Sequence, residues 1–514
     1  MKSTIRIILV LSLVALTSCG GPEYQPSSSL TVAIESVPTN LDPRLATDAA
    51  SMRIIQLVYN GIMKWNEDYK LEKDLAESVK SLDRTSYLIT LKPGIKFHHG
   101  RELTSQDVKF TIESILDPKL NSPNYSSFER LAKIEVLDKY RLKLSLKEPF
   151  SPFLSALTIG IVPEDLAGNP DSDLSRRPVG TGPFKFSARP NPDMIALEAN
   201  PDYFGQQPKL SKLIIKVVPD DTVRVMELMS GAVDLIINAI PPDMIPVLEK
   251  DPNIRVETRR GTSYSYIGFN LKDPILAKPK VRQAIAHALD REGIIKHLLK
   301  GAAIPASGIL PPDHWAYEGI VRTYEYKPEK ARKLLDQAGY PDPPGPEPRF
   351  RLLYKTSQNA FRRLVGEALM AQLKEVGIKV TMRSYEWGTF FNDIKSGNFQ
   401  LYSLTWVGIT DPDVLYYIFH SQSVPPKGAN RGRYSNLVVD RILTEARQTR
   451  GDRRRKAKYK WVQKILALDL PYVSLWYTHN VAAMRNEVQG LKLTPAGDFT
   501  PLSRVWLSRP KGKG

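Results

Sequence analysis

The stretch LKPGIKFHHGRELTSQDVKFTIES, Leu91 to Ser114, holds two turns and the start of a helix. Just before it, Tyr87 to Leu91 alternates as a strand, which Lys92-Pro93-Gly94 ends. Phe97 then leads into His98-His99-Gly100, a second turn. After Leu103, Thr104 or Ser105 stands where a helix cap accepts a backbone N–H, and DVKFTIESIL continues with apolar residues at helical spacing. Two adjacent histidines raise the question of a metal. A metal site needs more ligands at defined spacing, and no neighbouring Cys, HExxH or calcium-loop pattern accompanies these two. A turn is the reading they support.

Working outward, Leu30 to Ile34 reads as a first strand closed by PTNLDP, and Ile134 to Val136 with Arg141 to Leu146 reads as a hairpin around Asp138-Lys139. The chain opens MKSTIRIILVLSLVALTSCGG. Lys2 and Arg6, an apolar run of about ten residues and then small residues describe a secretory signal, too short to span a bilayer. The single cysteine, Cys19, excludes an intramolecular disulfide. LTSC resembles the bacterial lipobox, in which the cysteine takes a diacylglycerol and becomes the mature N-terminus. The resemblance implies a signal over 1–18, lipidation at Cys19 and a flexible tether over 19–29, rich in Gly, Pro and Ser. No later stretch approaches about 18 consecutive apolar residues.

The net charge is +17, and residues 425–460 hold twelve Lys or Arg against three acids. Export argues against a nucleic-acid partner. From Asp452, the residues Ala457, Trp461, Ile465 and Leu468 recur at helical spacing, which would leave the basic residues on a solvated face. Anionic lipid or an acidic ligand is the alternative partner for this segment.

GTGPF, Gly180 to Phe184, lacks the Gly-Lys-Ser/Thr of a phosphate loop, and GTSYS at Gly261 lacks the last glycine of a nucleophile elbow. Further on, helices alternate with strands. VRQAIAHALDREGIIKHLLKG reads as one helix ending at Gly301, with His287 and His297 at the edge of its apolar face. A helix from Phe361 to Val376 precedes the strand IKVTMRSY. The alternation indicates an α/β fold. In TWVGITDPD, Thr405 to Asp413, Asp411 would cap a helix that Pro412 begins.

The chain resembles the family 5 solute-binding proteins of ABC transporters over nearly everything after Leu30. The resemblance is carried by NLDP at Asn40, the Leu91 to Ser114 stretch, VGTGPFKF at Val179, YIGFNLK at Tyr266 and KVRQAIAHALDRE at Lys280. It implies a two-lobed clamp of the type II periplasmic-binding-protein kind with an extra domain and a two-crossing hinge. One lobe would combine 30–65, 166–262 and 485–514; the extra domain would be 66–165, and the second lobe 263–484. The implied function is capture of a peptide or peptide-like solute between the lobes and delivery to a membrane permease. The receptor would be a monomer without cofactor, metal or catalytic residues, held by lipid in the cell envelope, and at the outer membrane if the host is Gram-negative. The same clamp for a metal chelate, glycoside or anion is the first alternative, and an extracytoplasmic hydrolase a remote one. By resemblance, Trp406, Asp411, Tyr264, Tyr266, Asn270, Tyr385, Trp387 and Arg383 are candidate ligand contacts. Phe269 flanks the hinge with them. In peptide-binding relatives an Asp three residues after the matching Trp holds the ligand ammonium; here that position is Ile409.

Overall fold

The computed structural model describes residues 28–66, 70–169 and 172–508, so Cys19, the signal and most of the tether lie outside the described residues. Its frame is a mixed sheet of eleven strands. In the first lobe Ser29–Ile34 runs parallel to both Lys212–Val217 and Leu235–Ile237. Burial along SLTVAI is nearly continuous, as a central strand covered on both faces requires. In the second lobe Phe350–Ser357 runs parallel to Ile378–Tyr385 and to Leu401–Trp406.

Two long strands join the lobes. Ile254–Phe269 and Tyr472–Arg485 pair antiparallel from Ile254 opposite Arg485 to Gly268 opposite Tyr472. The first lobe attaches through Leu235 opposite Met484, and the second through Trp406 opposite Tyr264. Both crossings of the expected clamp are therefore one continuous ribbon. Its register slips between Arg260 and Ser263, leaving Gly261 and Thr262 bulged midway between the lobes. A Cβ on Gly261 would lie 2.4 Å from the Thr478 carbonyl oxygen. Thr262 N–H donates to the Pro495 carbonyl at 3.0 Å, and Asn480 Nδ2 donates to the Thr494 and Pro495 carbonyls, each at 2.8 Å.

A separate four-stranded antiparallel sheet, Ala76–Ser81, Ser86–Leu91, Arg141–Leu146 and Leu131–Val136 in spatial order, packs with the helix Ser105–Leu116 around Ile89, Phe97, Val108, Ile112 and Leu142. The Leu91 to Ser114 stretch is organised by Asp107. Its buried carboxylate accepts from Thr104 N–H at 2.8 Å and Glu164 N–H at 3.0 Å and pairs with Arg101. The turn histidine ties this unit to the first lobe. His98 Nδ1 accepts from Gly180 N–H at 3.2 Å, so Nε2 carries the hydrogen and donates to the Gly182 carbonyl at 3.0 Å. With both ring nitrogens engaged, His98 has no lone pair for a metal.

Three expectations from the sequence are corrected. The stretch expected as one helix to Gly301 is two, Pro279–Ala288 and Arg291–His297. Asp290 breaks it by accepting from Gly293 N–H at 2.8 Å, a cap that competes with helix continuation. His287 is buried against the Glu325 carbonyl rather than at an edge, and His297 is exposed. The helix Asp452–Asp469 turns a different face inward: Arg455, Tyr459, Val462 and Leu466 are buried, while Trp461 and Leu468 are 56% and 50% exposed. Both stripes satisfy helical spacing. The buried one is chosen by Arg455, which finds Asp411 at 3.7 Å and the rings of Trp315 and Tyr459.

Candidate ligand cleft

Strand direction locates the cleft. Leu235–Ile237 is antiparallel to Tyr472–Arg485, so it and its parallel neighbours end toward the bulge at Gly261. Leu401–Trp406 is antiparallel to Ile254–Phe269, so it and its parallel neighbours end toward the same bulge from the other side. The carboxyl ends of both sets of parallel strands therefore meet at the hinge, the place where open α/β sheets bind ligands. Exposed apolar side chains follow several of these ends: Val37 (46%) in the first lobe, Trp387 (47%) and Val407 (63%) in the second. A groove of about 540 Å³ runs between the lobes beside the hinge, lined by Pro246 on one side and Glu292, Ile295, Lys296, Lys300 and Pro305 on the other.

The second lobe's wall is a stack of rings and cations. The Arg431 guanidinium lies 5.0 Å from the Trp406 ring centre and 5.2 Å from that of Phe391. Phe391 stacks on Trp387 at 5.5 Å, and Arg362 covers Trp387 at 5.1 Å. Arg431 Nη1 donates to the Tyr266 hydroxyl at 3.2 Å. Burial holds the phenols of Tyr266, Tyr402 and Tyr472 well above their usual range, so all three stay neutral beside the cation. The Trp406 indole N–H and Arg362 Nη1 are both buried without an acceptor.

Of the residues named from the sequence, Trp406, Trp387 and Tyr385 stand at strand ends on this wall, and Arg383 is exposed two residues before Tyr385. Tyr264 and Tyr266 are corrected. They are 2% and 0% exposed and lie beneath the wall, with Tyr266 stacked on Tyr472 at 4.1 Å and the Tyr264 hydroxyl 2.7 Å from Ser474 Oγ. Asn270 is corrected too. It follows Phe269, at the end of its strand away from the hinge, and its amide donates to the Phe399 carbonyl at 2.9 Å and the Gly397 carbonyl at 3.2 Å. Arg431, Arg362 and Phe391 were missed. Arg431 sits in the basic stretch 425–460, ahead of the helix whose basic residues were read as a solvated face, and no local pattern separates it from its neighbours.

Asp411 is not the helix cap. The helix is Val414–Phe419, with Asp413 at the cap position. The Asp411 carboxylate accepts from Asp413 N–H at 2.8 Å and from the Ser155 hydroxyl, with Arg455 3.7 Å away. Asp413 is held by Arg447 through two bonds of 2.8 Å, and burial raises its pKa despite that partner. The Arg447 guanidinium lies 3.4 Å from the Tyr416 ring centre and 5.2 Å from that of Phe150. Ser151 donates to the Arg447 and Thr449 carbonyls, each at 2.6 Å. The segment around Asp411 therefore fastens the second lobe to residues 150–155 of the extra domain. Asp411→Ala is expected to cost about 1–3 kcal/mol, the range for stranding a hydrogen-bond partner. A double-mutant cycle with Ser155→Ala by denaturant unfolding checks it, since additive losses would mean the two side chains do not act on each other.

Acid should loosen the contacts made by two buried histidines, His98 and His314. Burial lowers His98 and His314 from 6.5 to about 4, and each accepts a backbone N–H at Nδ1. The unfolded chain then binds more protons below pH 6.5, so stability falls as pH drops from about 6.5 to about 4. The loss is expected to approach roughly 3 kcal/mol per histidine. Urea midpoints at pH 7 and pH 4.5, in wild type and His98→Gln, check it: the variant should lose less on acidification.

The sequence profile described as "Bacterial extracellular solute-binding proteins, family 5 Middle" matches residues 70–425. The chain belongs to this family. It is a substrate-binding protein of the kind that serves ABC importers. Among relatives, the oligopeptide-binding protein AppA of Bacillus subtilis is 32% identical over 99% of each chain. The glutathione-binding protein GsiB of Salmonella typhi is 29% identical over 92% of this chain and 94% of its own. The structure of AppA in complex with a nonapeptide aligns with a TM-score of 0.83 at 31% identity, covering 94% of this chain and all (100%) of AppA. NikZ from Campylobacter jejuni, in complex with Ni(L-His), also aligns at 0.83, with 27% identity over 94% of this chain and 100% of its own.

Proposed function

We propose that this receptor captures a peptide or peptide-like solute between its two lobes and hands it to the permease of an ABC importer, acting by binding without turnover. The observation that carries the reading is the convergence of both lobes' strand ends on one hinge, in a chain that superposes along its length on a nonapeptide complex. Closure draws its free energy from ligand contacts that only the closed form makes. Ile409, buried where peptide-binding relatives place an ammonium-holding Asp, favours ligands recognised without a free amino terminus. A non-peptide solute is the second reading, and NikZ supports it as a relative crystallised with a metal chelate.

Mass spectrometry of what co-purifies with the protein names the ligand class. With that ligand at saturation, small-angle scattering should show a smaller radius of gyration, and at about 100 times Kd the stability should rise by about 2.7 kcal/mol. Tight binding with neither change would overturn the clamp. Anchoring through Cys19 is part of the proposal and places the receptor at the cell envelope. Cys19→Ala should abolish fatty-acid labelling and leave the precursor uncut, and equal labelling of the two proteins would sink the anchor.

A further inference from the structure

We infer that the second lobe's wall is built to take a carboxylate of the solute at Arg431, with Arg362 adding positive charge at the far end of the same ring stack. The inference rests on the solute-binding reading above and adds the chemistry of the ligand.

Arg431 is 8% exposed and, among the described residues, forms no ion pair: its neighbours are two aromatic faces and three neutral phenols. A buried cation without a counter-charge is unfavourable, and ring faces and a phenol oxygen replace only part of its hydration. Arg362 repeats the pattern at the other end of the stack, over Trp387, with Nη1 lacking an acceptor. The Trp406 indole N–H is a third donor without an acceptor. Asp440, nearest in sequence to Arg431, accepts from Ser421 N–H at 2.9 Å, and Glu367, nearest to Arg362, is exposed; carboxylates of the surrounding segments have other partners. Asp393 pairs with Lys355 at 2.6 Å, Glu386 accepts from Gly388 N–H at 2.7 Å, and Asp411 and Asp413 face Arg455 and Arg447.

The wall at the end of these strands thus offers donors and positive charge, and an arriving carboxylate would supply two acceptor oxygens and the missing negative charge. Arginine suits that task because its planar fork matches a carboxylate while its face rests on aromatic rings. An ammonium group would meet the positive charge of Arg431 there. The ligand end this wall selects is therefore acidic: a peptide carboxyl terminus, an acidic side chain or the carboxylate of a non-peptide solute.

The test uses purified protein and a mixed library of N-acetylated tri- to pentapeptides, prepared as free acids and as C-terminal amides. Retention is read by mass spectrometry after gel filtration. Wild type is expected to retain acids at least about tenfold over amides, and Arg431→Met and Arg362→Gln should each bring that ratio toward one. Ligand-free Arg431→Met should melt no lower than wild type, because the substitution removes an unpaired buried charge and keeps most of the volume. Equal retention of acids and amides by wild type overturns the inference, as does an acid preference that survives in both variants. So does a large fall in the melting temperature of Arg431→Met with its acid preference intact, which would make Arg431 a structural cation. If neither peptide form is retained, the peptide reading fails. Non-peptide mono- and dicarboxylates compared with their methyl esters then decide the inference, and no acid preference there overturns it.

Discussion

Arg447→Ala is expected to lower the unfolding free energy by about 3–5 kcal/mol, the largest effect of any single substitution considered. Asp413 and Arg447 are each less than one-fifth exposed in their side chains, and they meet through two parallel hydrogen bonds. Removing the arginine leaves a buried carboxylate whose pKa burial already pushes upward. It also strips the cation from the face of Tyr416 within the second lobe and from that of Phe150, the contact that crosses to the neighbouring unit. Denaturant unfolding at neutral pH checks the magnitude. Restoring neutrality with Asp413→Asn in the same chain should recover part of the loss, because no unpaired charge then remains buried. A loss below about 1 kcal/mol for Arg447→Ala would show that the pair behaves as an exposed one.

Gly180→Ala is the second large effect, at about 3 kcal/mol. A Cβ there would lie 2.1 Å from the Val58 carbonyl oxygen and 2.7 Å from Cδ1 of the Tyr59 ring, and most of what it meets is backbone or rigid ring. Val58 ends the helix Ala49–Val58, and Gly182 N–H donates to the Val58 carbonyl at 2.8 Å. On its other side Gly180 exchanges hydrogen bonds with His98, so any shift that relieves the clash pulls on the contact between first lobe and extra domain. Gly308→Ala is the matched control. Nothing lies within 4 Å of the point where its methyl group would stand, and its cost should stay near about 0.5 kcal/mol. Denaturation midpoints of the two variants, measured side by side, should differ widely. Similar midpoints would mean that the GTGPF segment moves aside freely.

Much of the local architecture was legible in the residues alone. The strand IKVTMRSY, the hairpin around Asp138 and the helix start at Thr104 follow from alternation, turn residues and capping, which act within a few residues of chain. The strand directions that place the cleft then depend on pairing between segments hundreds of residues apart. The sequence shows the segments but not their partners.

Side-chain roles were legible only where the local rule had no competitor. Helical spacing allowed two stripes on Asp452–Asp469, and the buried one contains an arginine because Asp411 and Trp315, from distant segments of the same lobe, wait for it beside Tyr459 one turn along its own helix. The resemblance made Tyr264 and Tyr266 candidate ligand contacts, but whether their face of the strand is cleft or core depends on what packs over it, and here Tyr472, Tyr402 and Arg431 do. Asp411 had the residues of a cap; its carboxylate went instead to a serine 256 positions away. The sequence by itself determined most of the elements and the family. Only the tertiary structure decided which cations find acids and which, like Arg431, find rings, because burial and partnership of a charge are set by distant segments meeting in space.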